Sequence, residues 1–399
     1  MSLTVAYLVG RFPVRTERVI AEEIAAVGEC NTGTRIVALR AGEHAGVAWA
    51  EGVANRMAYL DPAPRSGRLV RGTAMMLRLP TLRGALPSAS AAAHSPDFLG
   101  SPLATSYRRR RLAAILRENP PDVLHAQFGH LGLLAAPVAQ ALGRPLVVSF
   151  RGEDVTLMRN GPAEARRFLF KSAVRVFARC NAMKQRLLEM GCPPERLTIE
   201  PSGLRLDRFP FHERTPPEGG RPVRLLFVGR DIPRKGADAA RRAVAACADA
   251  HRIELTTLHD APDDLVLDAM RKADLFILPS RTGPDGDEEG IPNAIKEAMA
   301  CGLPVLSTRH GGIPELVEHE RSGLLSDEND FDGLVANLRR MLAEPERWAE
   351  MGRCGRDAVR ARFDVKRIAP RLVKHYRDVM QKGNELESPS GNPRAGRTP

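Results

Sequence analysis

Strand-like and helix-like segments alternate along this chain. Short apolar segments that predict buried strands occur at residues 3–9, 35–39, 122–126, 145–150, 174–178 and 197–201. Helix-like stretches fall between them, for example at residues 19–27, 131–142 and 182–190. Short buried strands that alternate with helices are typical of parallel sheets that are covered on both faces. The first half of the chain therefore predicts an α/β domain.

The same pattern starts again in the second half. Further strands are predicted at residues 223–229, 253–258, 275–279, 304–308 and 323–325. Between the halves, residues 210–222 end in a stretch with three prolines and two glycines, which is typical of a linker. We therefore predict a first domain at residues 1–209, a second at residues 223–364, and a cleft between two doubly wound sheets.

Three other segments receive a coarser interpretation. Residues 84–106 are rich in Ser, Ala and Pro and predict a mobile loop. Residues 383–399 lack apolar periodicity and predict a disordered tail. The N-terminus lacks a basic start and moves straight into a strand pattern, so we interpret it as the first core strand and not as a signal peptide.

Composition fits a soluble globular protein of two domains. The chain has 399 residues, with 43% apolar and 27% charged residues. No apolar run approaches the roughly 20 residues that span a bilayer. Six scattered cysteines without a C-x-x-C pair favour isolated thiols in a reducing compartment over disulfides or zinc. These features predict a cytoplasmic protein.

The charge balance is basic, with a net charge of +11. Arginines are concentrated in residues 65–117, including the run at 108–111, and in the C-terminal region. Such a surface can meet nucleic acid, anionic lipid or an anionic substrate, or it can be a solvated helix face. Aromatic residues make up only 5% of the chain, which disfavours a stacking surface for single-stranded nucleic acid.

Candidate ligand-binding residues follow the predicted strands. In doubly wound sheets, ligands bind beyond the carboxyl ends of the strands. Gly10 follows the first strand, Arg151 follows Phe150, Arg230 follows the first strand of the second half, and Glu289 comes after residues 275–279. We expect these residues to face the cleft.

The turn at residues 229–236 carries two cations beside a predicted helix start. Arg230 and Lys235 bracket this helix N-terminus, where backbone amides and fixed cations can neutralise a diphosphate. The turn lacks both G-x-G-x-x-G and the Walker arrangement. An ordinary basic loop is therefore the alternative interpretation.

Two carboxylates, Glu289 and Glu297, stand eight positions apart around a short helix. Gly290 allows close backbone approach and Pro292 suits a first helical turn, so this segment can grip a polyol and a phosphate. Glu297 lies in an apolar helix and needs a partner or a ligand, although an exposed helix glutamate is the alternative. The nearby Asp-Gly-Asp at residues 285–287 can hold a divalent cation, but the cations of the preceding turn make a metal unnecessary.

Polar residues of the first half form a candidate acceptor site. His125, His130 and Asp154 follow predicted strands, and either histidine could bind an acceptor or be a satisfied structural residue. After the first strand, Thr16 is a candidate N-cap and Glu17 suits the positive helix start.

These segments together resemble the GT4 family of glycosyltransferases, which have the GT-B fold. Residues 289–304 are similar to the family's E-x7-E motif with its trailing Ala-Met-Ala-x-Gly-x-Pro. Residues 228–236 resemble its phosphate-binding segment, and residues 203–209, 311–317 and 322–325 also match. The resemblance covers residues 1–380. Residues 10–17 and 285–292 resemble the subgroup that acts in colanic acid and other exopolysaccharide assembly.

The resemblance implies an enzyme with two Rossmann-like domains that face across a cleft. A C-terminal helix, here residues 365–382, crosses back to the first domain. The reaction is expected to retain the anomeric configuration without a metal. The donor is a UDP-sugar or GDP-sugar, and the acceptor is a glycan or a lipid-linked glycan at an anionic membrane. No nucleic acid is implied.

The resemblance also assigns roles in the donor site. Arg230 and Lys235 would neutralise the diphosphate, Glu297 would accept from the ribose hydroxyls, and Glu289 would contact the donor sugar. The loop between the two carboxylates would contact the phosphate or sugar; its residues are Gly290, Ile291, Pro292 and Asn293. Gly10 is expected to lie close to the donor.

One departure from the family pattern concerns catalysis. Many members have Phe-His-Gly where this chain has Arg151 in the middle position, and the second His of a frequent His-x-His is here Gln127. Arg151 either replaces the histidine by binding phosphate or an anionic sugar, or alters or abolishes activity. Arg151 thus raises the alternative of a catalytically weakened, sugar-nucleotide-binding partner protein. A separate alternative is a transferase that acts on a small-molecule or natural-product acceptor.

Overall fold

The first half of the chain forms a parallel sheet of seven strands. The computed structural model describes residues 3–42, 57–61, 101–248 and 252–387. The strands are β1 (Thr4–Phe12), β2 (Gly33–Ala41), β3 (Met57–Tyr59), β4 (Val123–Ala126), β5 (Leu146–Ser149), β6 (Arg175–Ala178) and β7 (Leu197–Ile199), in the order β3-β2-β1-β4-β5-β6-β7. The order reverses between β1 and β4, so a ligand crevice is expected at their carboxyl ends.

Helices cover this sheet on both faces. They are α1 (Arg18–Glu29), α2 (Pro102–Glu118), α3 (Gly129–Ala141), α4 (Glu153–Asn160), α5 (Ala163–Ser172) and α6 (Asn181–Glu189). All six strands predicted for this half are present, and β3 is an additional strand that the sequence pattern did not predict. The central strands, such as β4 and β5, read as apolar runs because both of their faces are buried.

The second half forms a separate parallel sheet of five strands. The strands are β8 (Val223–Val228), β9 (Ile253–Leu258), β10 (Leu275–Leu278), β11 (Val305–Thr308) and β12 (Gly323–Ser326), in the order β12-β11-β10-β8-β9. The helices are α7 (Ala237–Ala245), α8 (Asp263–Lys272), α9 (Asn293–Ala300), α10 (Phe331–Ala343) and α11 (Trp348–Arg362). The predicted fold class, two doubly wound α/β sheets, is confirmed.

Residues 210–222, which connect the two sheets, contain no helix or strand. Arg214 fixes this segment to the second sheet. Its buried guanidinium donates to the carbonyl oxygens of Met270, Arg271, Ala273 and Cys301 at 2.8 to 3.0 Å. The segment is therefore anchored to the second sheet at Arg214.

The last helix, α12 (Val365–Glu387), packs on α1 of the first half. Its apolar residues recur at helical spacing and join one core cluster with Tyr7, Ile20 and Ile24; they are Val365, Ile368, Ala369, Leu372, Val373, Tyr376 and Val379. The helix continues to Glu387, past the predicted end at residue 382. Residues 388–399 of the predicted tail lie outside the described residues.

Two expectations for the basic region change. Residues 84–100 of the predicted loop lie outside the described residues, whereas α2 starts at Pro102 and is capped by Ser101, whose Oγ accepts from the Ala104 N–H at 3.3 Å. Three arginines of the run at 108–111 are engaged within the domain. Their partners are Asp61 for Arg108, the Leu133 carbonyl for Arg109 and the Tyr59 carbonyl for Arg111. Most of this run is therefore structural.

None of the helices in the described ranges is long and apolar enough to cross a membrane.

Candidate active site

The two sheets face each other across a cleft of about 670 Å³. Both halves contribute to its lining. The predicted site residues that line it are Glu17, Arg151, Arg230, Lys235, Glu289, Gly290, Ile291, Pro292, Asn293 and Glu297. The structure thus brings the predicted donor residues together with Glu17 and Arg151 of the first half.

Glu289 is clamped by two cations. Its Oε1 lies 2.9 Å from Arg234 Nε and 2.8 Å from Lys235 Nζ. Burial raises the pKa of this carboxyl, but the charges of Lys235 and Arg234 outweigh burial and hold the pKa below its usual value. Glu289 is therefore an anion that orients Lys235 in the cleft.

Arg234 is a site residue that sequence reasoning missed. It is buried, and its Nη1 pairs with Asp287 of the Asp-Gly-Asp segment. Asp287 also accepts from Thr156 Oγ1 at 3.3 Å. The signal was present, since Arg234 stands next to Lys235, but only the tertiary structure shows that both side chains meet the same carboxylate.

The turn before α7 depends on Gly236. Its φ is +72°, and a Cβ there would lie 2.1 Å from the Pro279 carbonyl oxygen. Only glycine permits this close approach, which places the start of α7 and Lys235 against the cleft. Arg230 at the other end of the turn is exposed, with Glu153 Oε2 3.8 Å from its Nη2.

The backbone of Glu289 is held from behind by the turn after β11. The Glu289 N–H donates to His310 Nε2 at 2.9 Å, and the Gly312 N–H donates to the Gly290 carbonyl at 2.9 Å. Because His310 Nε2 accepts, the ring proton of the neutral form lies on Nδ1, which is 2.6 Å from Glu328 Oε1. His310 and Glu328 were not predicted.

Glu297 is engaged by the first half of the chain. Its Oε1 accepts from Arg18 Nη2, and Arg18 also lies 2.8 Å from Asp263 and 3.4 Å from Glu22. The carboxylate expected to bind ribose is therefore paired with an arginine from across the cleft. The alternative of an exposed helix glutamate is wrong, because Glu297 is buried.

Arg151 is anchored by protein groups at each side-chain nitrogen. Its Nε and Nη2 donate to Gln127 Oε1, its Nη1 donates to Ser202 Oγ at 3.1 Å, and its Nη2 lies 3.3 Å from Glu23 Oε2. Burial and the nearby Arg179 lower the pKa of Arg151 to about 10. Arg151 thus lines the cleft as part of a preformed network, and Gln127 is a buried member of it.

Two predicted acceptor residues are structural. His125 is fully buried, with Nδ1 2.8 Å from Tyr376 Oη and Nε2 2.8 Å from Ser149 Oγ, so its predicted contact with an acceptor is wrong. The buried Asp154 carboxylate accepts the backbone N–H groups of residues 129, 151 and 152 at 2.8 to 3.0 Å, so it too cannot reach an acceptor. Both side chains form their hydrogen bonds with other groups of the protein.

Of the four remaining predicted residues, one lines the cleft, two do not, and the side chain of one lies outside the description. Gly10 and His130 are not among the residues that line the cleft. The His130 ring stacks on Phe128 at a centroid distance of 5.5 Å, and burial lowers the pKa of His130 to about 4. Glu17 lines the cleft, and burial raises the pKa of its carboxyl to about 7. The side chain of Thr16 lies outside the described residues.

Known protein families match both halves of this chain. A family model described as "Glycosyl transferase 4-like domain" matches residues 31–203, and one described as "Glycosyl transferases group 1" matches residues 211–344. The putative colanic acid biosynthesis glycosyltransferase WcaL of Salmonella typhimurium is 32% identical over 84% of this chain and 90% of its own length. The chain belongs to the GT4-like family of glycosyltransferases. It is therefore a glycosyltransferase.

Two further proteins are similar to this glycosyltransferase. The amylovoran biosynthesis glycosyltransferase AmsK of Erwinia amylovora is 32% identical over 55% of this chain and 61% of its own length. The crystal structure of Anabaena Alr3699/HepE in complex with UDP superposes with a TM-score of 0.68 at 16% identity, covering 95% of this chain and 100% of that one. The structural likeness shows a shared fold.

Proposed function

We propose that this glycosyltransferase moves a sugar from a UDP-sugar or GDP-sugar to a lipid-linked or polysaccharide acceptor in exopolysaccharide or other cell-envelope glycan synthesis. The relatives named for colanic acid and amylovoran biosynthesis support the pathway. The neighbouring structures that contain UDP and UDP-glucose support a nucleotide-sugar donor.

The observation that carries the proposal is the pairing of cations and carboxylates on one wall of the cleft. Arg230 and Lys235 supply fixed positive charge for a diphosphate, and Glu289 and Glu297 supply acceptors for sugar and ribose hydroxyls. Charge that develops on the departing diphosphate would be stabilised by Lys235, which Glu289 already orients. Stabilisation by such preorganised charge is usually the largest single contribution to catalysis.

We propose that this reaction proceeds without a metal and with retention of configuration. Asp287, the acid that could otherwise help to hold a cation, is paired with Arg234. The fixed cations would then neutralise the leaving group. Retention follows from the family resemblance, by front-face attack in which the leaving phosphate helps to take the acceptor proton.

The membrane part of the proposal rests on the sequence. Arg108, Arg109 and Arg111 are engaged inside the first domain, so contact with anionic lipid is assigned to the other arginines of the basic stretch at residues 65–117. We propose a cytoplasmic enzyme that meets the inner face of the membrane through this region. Binding to vesicles that does not depend on acidic lipid would favour a small-molecule acceptor instead.

The donor assignment is tested with a panel of UDP- and GDP-sugars. A ligand at 100 times its dissociation constant adds about 2.7 kcal/mol to the free energy of unfolding, which a thermal shift detects. Slow hydrolysis of the bound donor then measures turnover. We expect Lys235→Ala and Glu297→Ala to abolish turnover while the fold survives.

A matched control is Lys272→Ala, which removes a lysine from an exposed ion pair with Asp268 on α8. It should leave donor binding and turnover unchanged. Wild-type turnover in either cleft variant would refute the assignment of the donor site.

A further inference from the structure

Three cations converge on the floor of the cleft: Arg151, Arg179 and Lys296. The two arginines follow β5 and β6 of the first sheet, and the lysine lies in α9 beside the second. Glu23 Oε2 is 3.3 Å from Arg151 Nη2 and 3.4 Å from Arg179 Nη1. Ser202 joins the lysine to this group, since its carbonyl accepts from Lys296 Nζ at 2.9 Å and its Oγ accepts from Arg151 Nη1 at 3.1 Å.

The positive charge of this cluster is only partly compensated. Arg179 is 4% exposed and Lys296 is 1% exposed, and buried charges ordinarily require a partner of opposite charge. Within the described parts of the chain, Glu23 is the one carboxylate that forms an ion pair with any of the three cations. Burial, opposed by Glu297 and reinforced by Arg179 and Arg151, lowers the pKa of Lys296 to about 7. Near neutral pH this lysine is therefore only partly protonated, and an anionic ligand beside it would favour the charged form.

The cluster also has unused hydrogen-bond donors. Among the described residues, Arg179 Nε and Nη2 are buried and find no acceptor. The Lys296 ammonium has three protons to donate, and the Ser202 carbonyl takes one of them. Buried donors without partners are rare in folded proteins, and here they belong to residues that line an open cavity. Both Arg179 nitrogens are covered by neighbouring protein atoms, so a ligand in the cleft would satisfy them after a small shift of the Arg179 side chain.

We propose that Arg151, Arg179 and Lys296 form a subsite for the carboxylate of an acidic sugar, carried either by the donor or by the acceptor. The inference rests on the proposed function, because the subsite lies in the same cleft as the donor residues. It adjoins the donor loop, since a Cβ on Gly290 would lie 4.0 Å from Arg179 Cβ. Arginine and lysine are the side chains that form strong, charge-assisted hydrogen bonds with a carboxylate.

Two properties follow from this placement. The subsite is complete only when the two domains face each other, because Lys296 comes from one and the arginines from the other. Glu17 lies in the same cleft, but burial raises the pKa of its carboxyl to about 7. Near neutral pH, Glu17 is therefore only partly ionised. It compensates little of the positive charge of the subsite and repels an anionic ligand only weakly.

The experiment compares ligands that differ only in the acidic group. The donor arm measures the affinity of the wild-type enzyme for UDP-glucuronic acid and for UDP-glucose by calorimetry. The acceptor arm adds glucuronic acid or glucose to the enzyme saturated with UDP. If GDP binds and UDP does not, GDP-mannuronic acid and GDP-mannose replace the UDP-sugars.

We expect the acidic ligand of one arm to bind at least about tenfold more tightly than its neutral partner, as is typical of hydrogen bonds to a charged group. The arm that shows the difference identifies the carrier of the carboxylate. Equal affinities in both arms, with normal binding of the nucleoside diphosphate, would overturn the subsite and leave the proposed function intact. Failure of both UDP and GDP to bind would count against the proposed function and would overturn the subsite with it.

Two charge-removing variants locate the effect. Lys296→Met and Arg179→Met should each reduce the preference for the acidic ligand by about tenfold while UDP alone binds as in the wild type. Lys272→Met, the same substitution at the exposed ion pair of α8, should retain the full preference. A preference that survives in both cleft variants would refute the assignment. The wild-type comparison decides the question even if a variant fails to fold.

Discussion

Arg18 of α1 donates to Glu297 of α9 across the cleft, in an ion pair buried on both sides. The same guanidinium lies 2.8 Å from Asp263 Oδ2 and 3.4 Å from Glu22 Oε1. The Arg18 guanidinium thus contacts three carboxylates, one from the first domain and two from the second. Glu297 is also the carboxylate assigned to the donor ribose in the proposed function. The same side chain would therefore take part both in the contact between the domains and in donor binding.

Replacing Arg18 by Met should destabilise the enzyme strongly. The substitution leaves buried carboxylates without their shared cation, and breaking a buried ion pair in this way costs about 3–5 kcal/mol. Urea unfolding at neutral pH measures the change in the free energy of unfolding. As a control, Arg353→Met breaks an exposed pair with Glu213 and should cost below about 1 kcal/mol. Equal losses of unfolding free energy in the two variants would show that Arg18 stabilises the fold no more than an exposed ion pair does.

Gly311 should be indispensable for the donor loop. Its φ is +52°, and a Cβ there would lie 2.1 Å from the Glu289 carbonyl oxygen. We therefore expect Gly311→Ala to displace Glu289 and weaken UDP binding, measured by calorimetry, by about tenfold or more. Gly143 has a φ of +61° with no atom within 4 Å of an added Cβ. Gly143→Ala should cost about 1 kcal/mol of stability and leave UDP binding unchanged, which separates displacement of the loop from backbone strain.

His310 should position Glu289 through its backbone. His310→Phe keeps an aromatic ring but leaves the partly buried Glu289 N–H without its acceptor, at a cost of about 1 kcal/mol. We expect lower stability and weaker donor binding. Glu328→Gln retains an oxygen that can accept the His310 Nδ1 proton, so it should behave much more like the wild type. Undiminished donor binding in His310→Phe would mean that this contact is dispensable.

Buried His125 should make folding stability depend on pH. Burial lowers the pKa of His125 from 6.5 to about 3, so the folded enzyme keeps the ring neutral while the unfolded chain takes up a proton below pH 6.5. Its stabilising contribution is complete above pH 6.5 and is lost as pH falls toward the folded pKa. The slope approaches about 1.4 kcal/mol per pH unit for one such group.

Urea unfolding between pH 6 and pH 4.5 measures this slope. The variant His125→Gln, which does not titrate there, should lose less stability over that range than the wild type. His130 contributes in the same direction, because burial lowers its pKa to about 4. Parallel stability curves for wild type and variant would contradict the burial of a neutral His125.

The sequence predicted cleft-lining residues of the second half through two local rules. Apolar runs gave the strands, and the strand-end rule placed Arg230, Lys235 and Glu289 at one edge of the second sheet. Arg234, Arg179 and Lys296 were missed, although each stands beside or among residues that were considered. Their identity as cations was visible, but the direction in which each side chain points depends on packing.

The same limit explains the errors at His125 and Asp154. Both follow strands, as ligand-binding residues do, yet each side chain is buried and bonded to protein groups. His310 and Glu328 are the converse case. They stand far along the chain from Glu289, and nothing local marks them as its support.

The sequence by itself determined the two parallel sheets, their order of elements and the edges at which a ligand could bind, because hydrophobic periodicity is a local property of the chain. The tertiary structure decided which polar groups are already satisfied. Arg18 and Glu297 are 279 residues apart and meet only when the domains face each other. Burial and distance between remote elements decide whether a charge is paired with protein, as at Glu297, or left with donors for a ligand, as at Arg179.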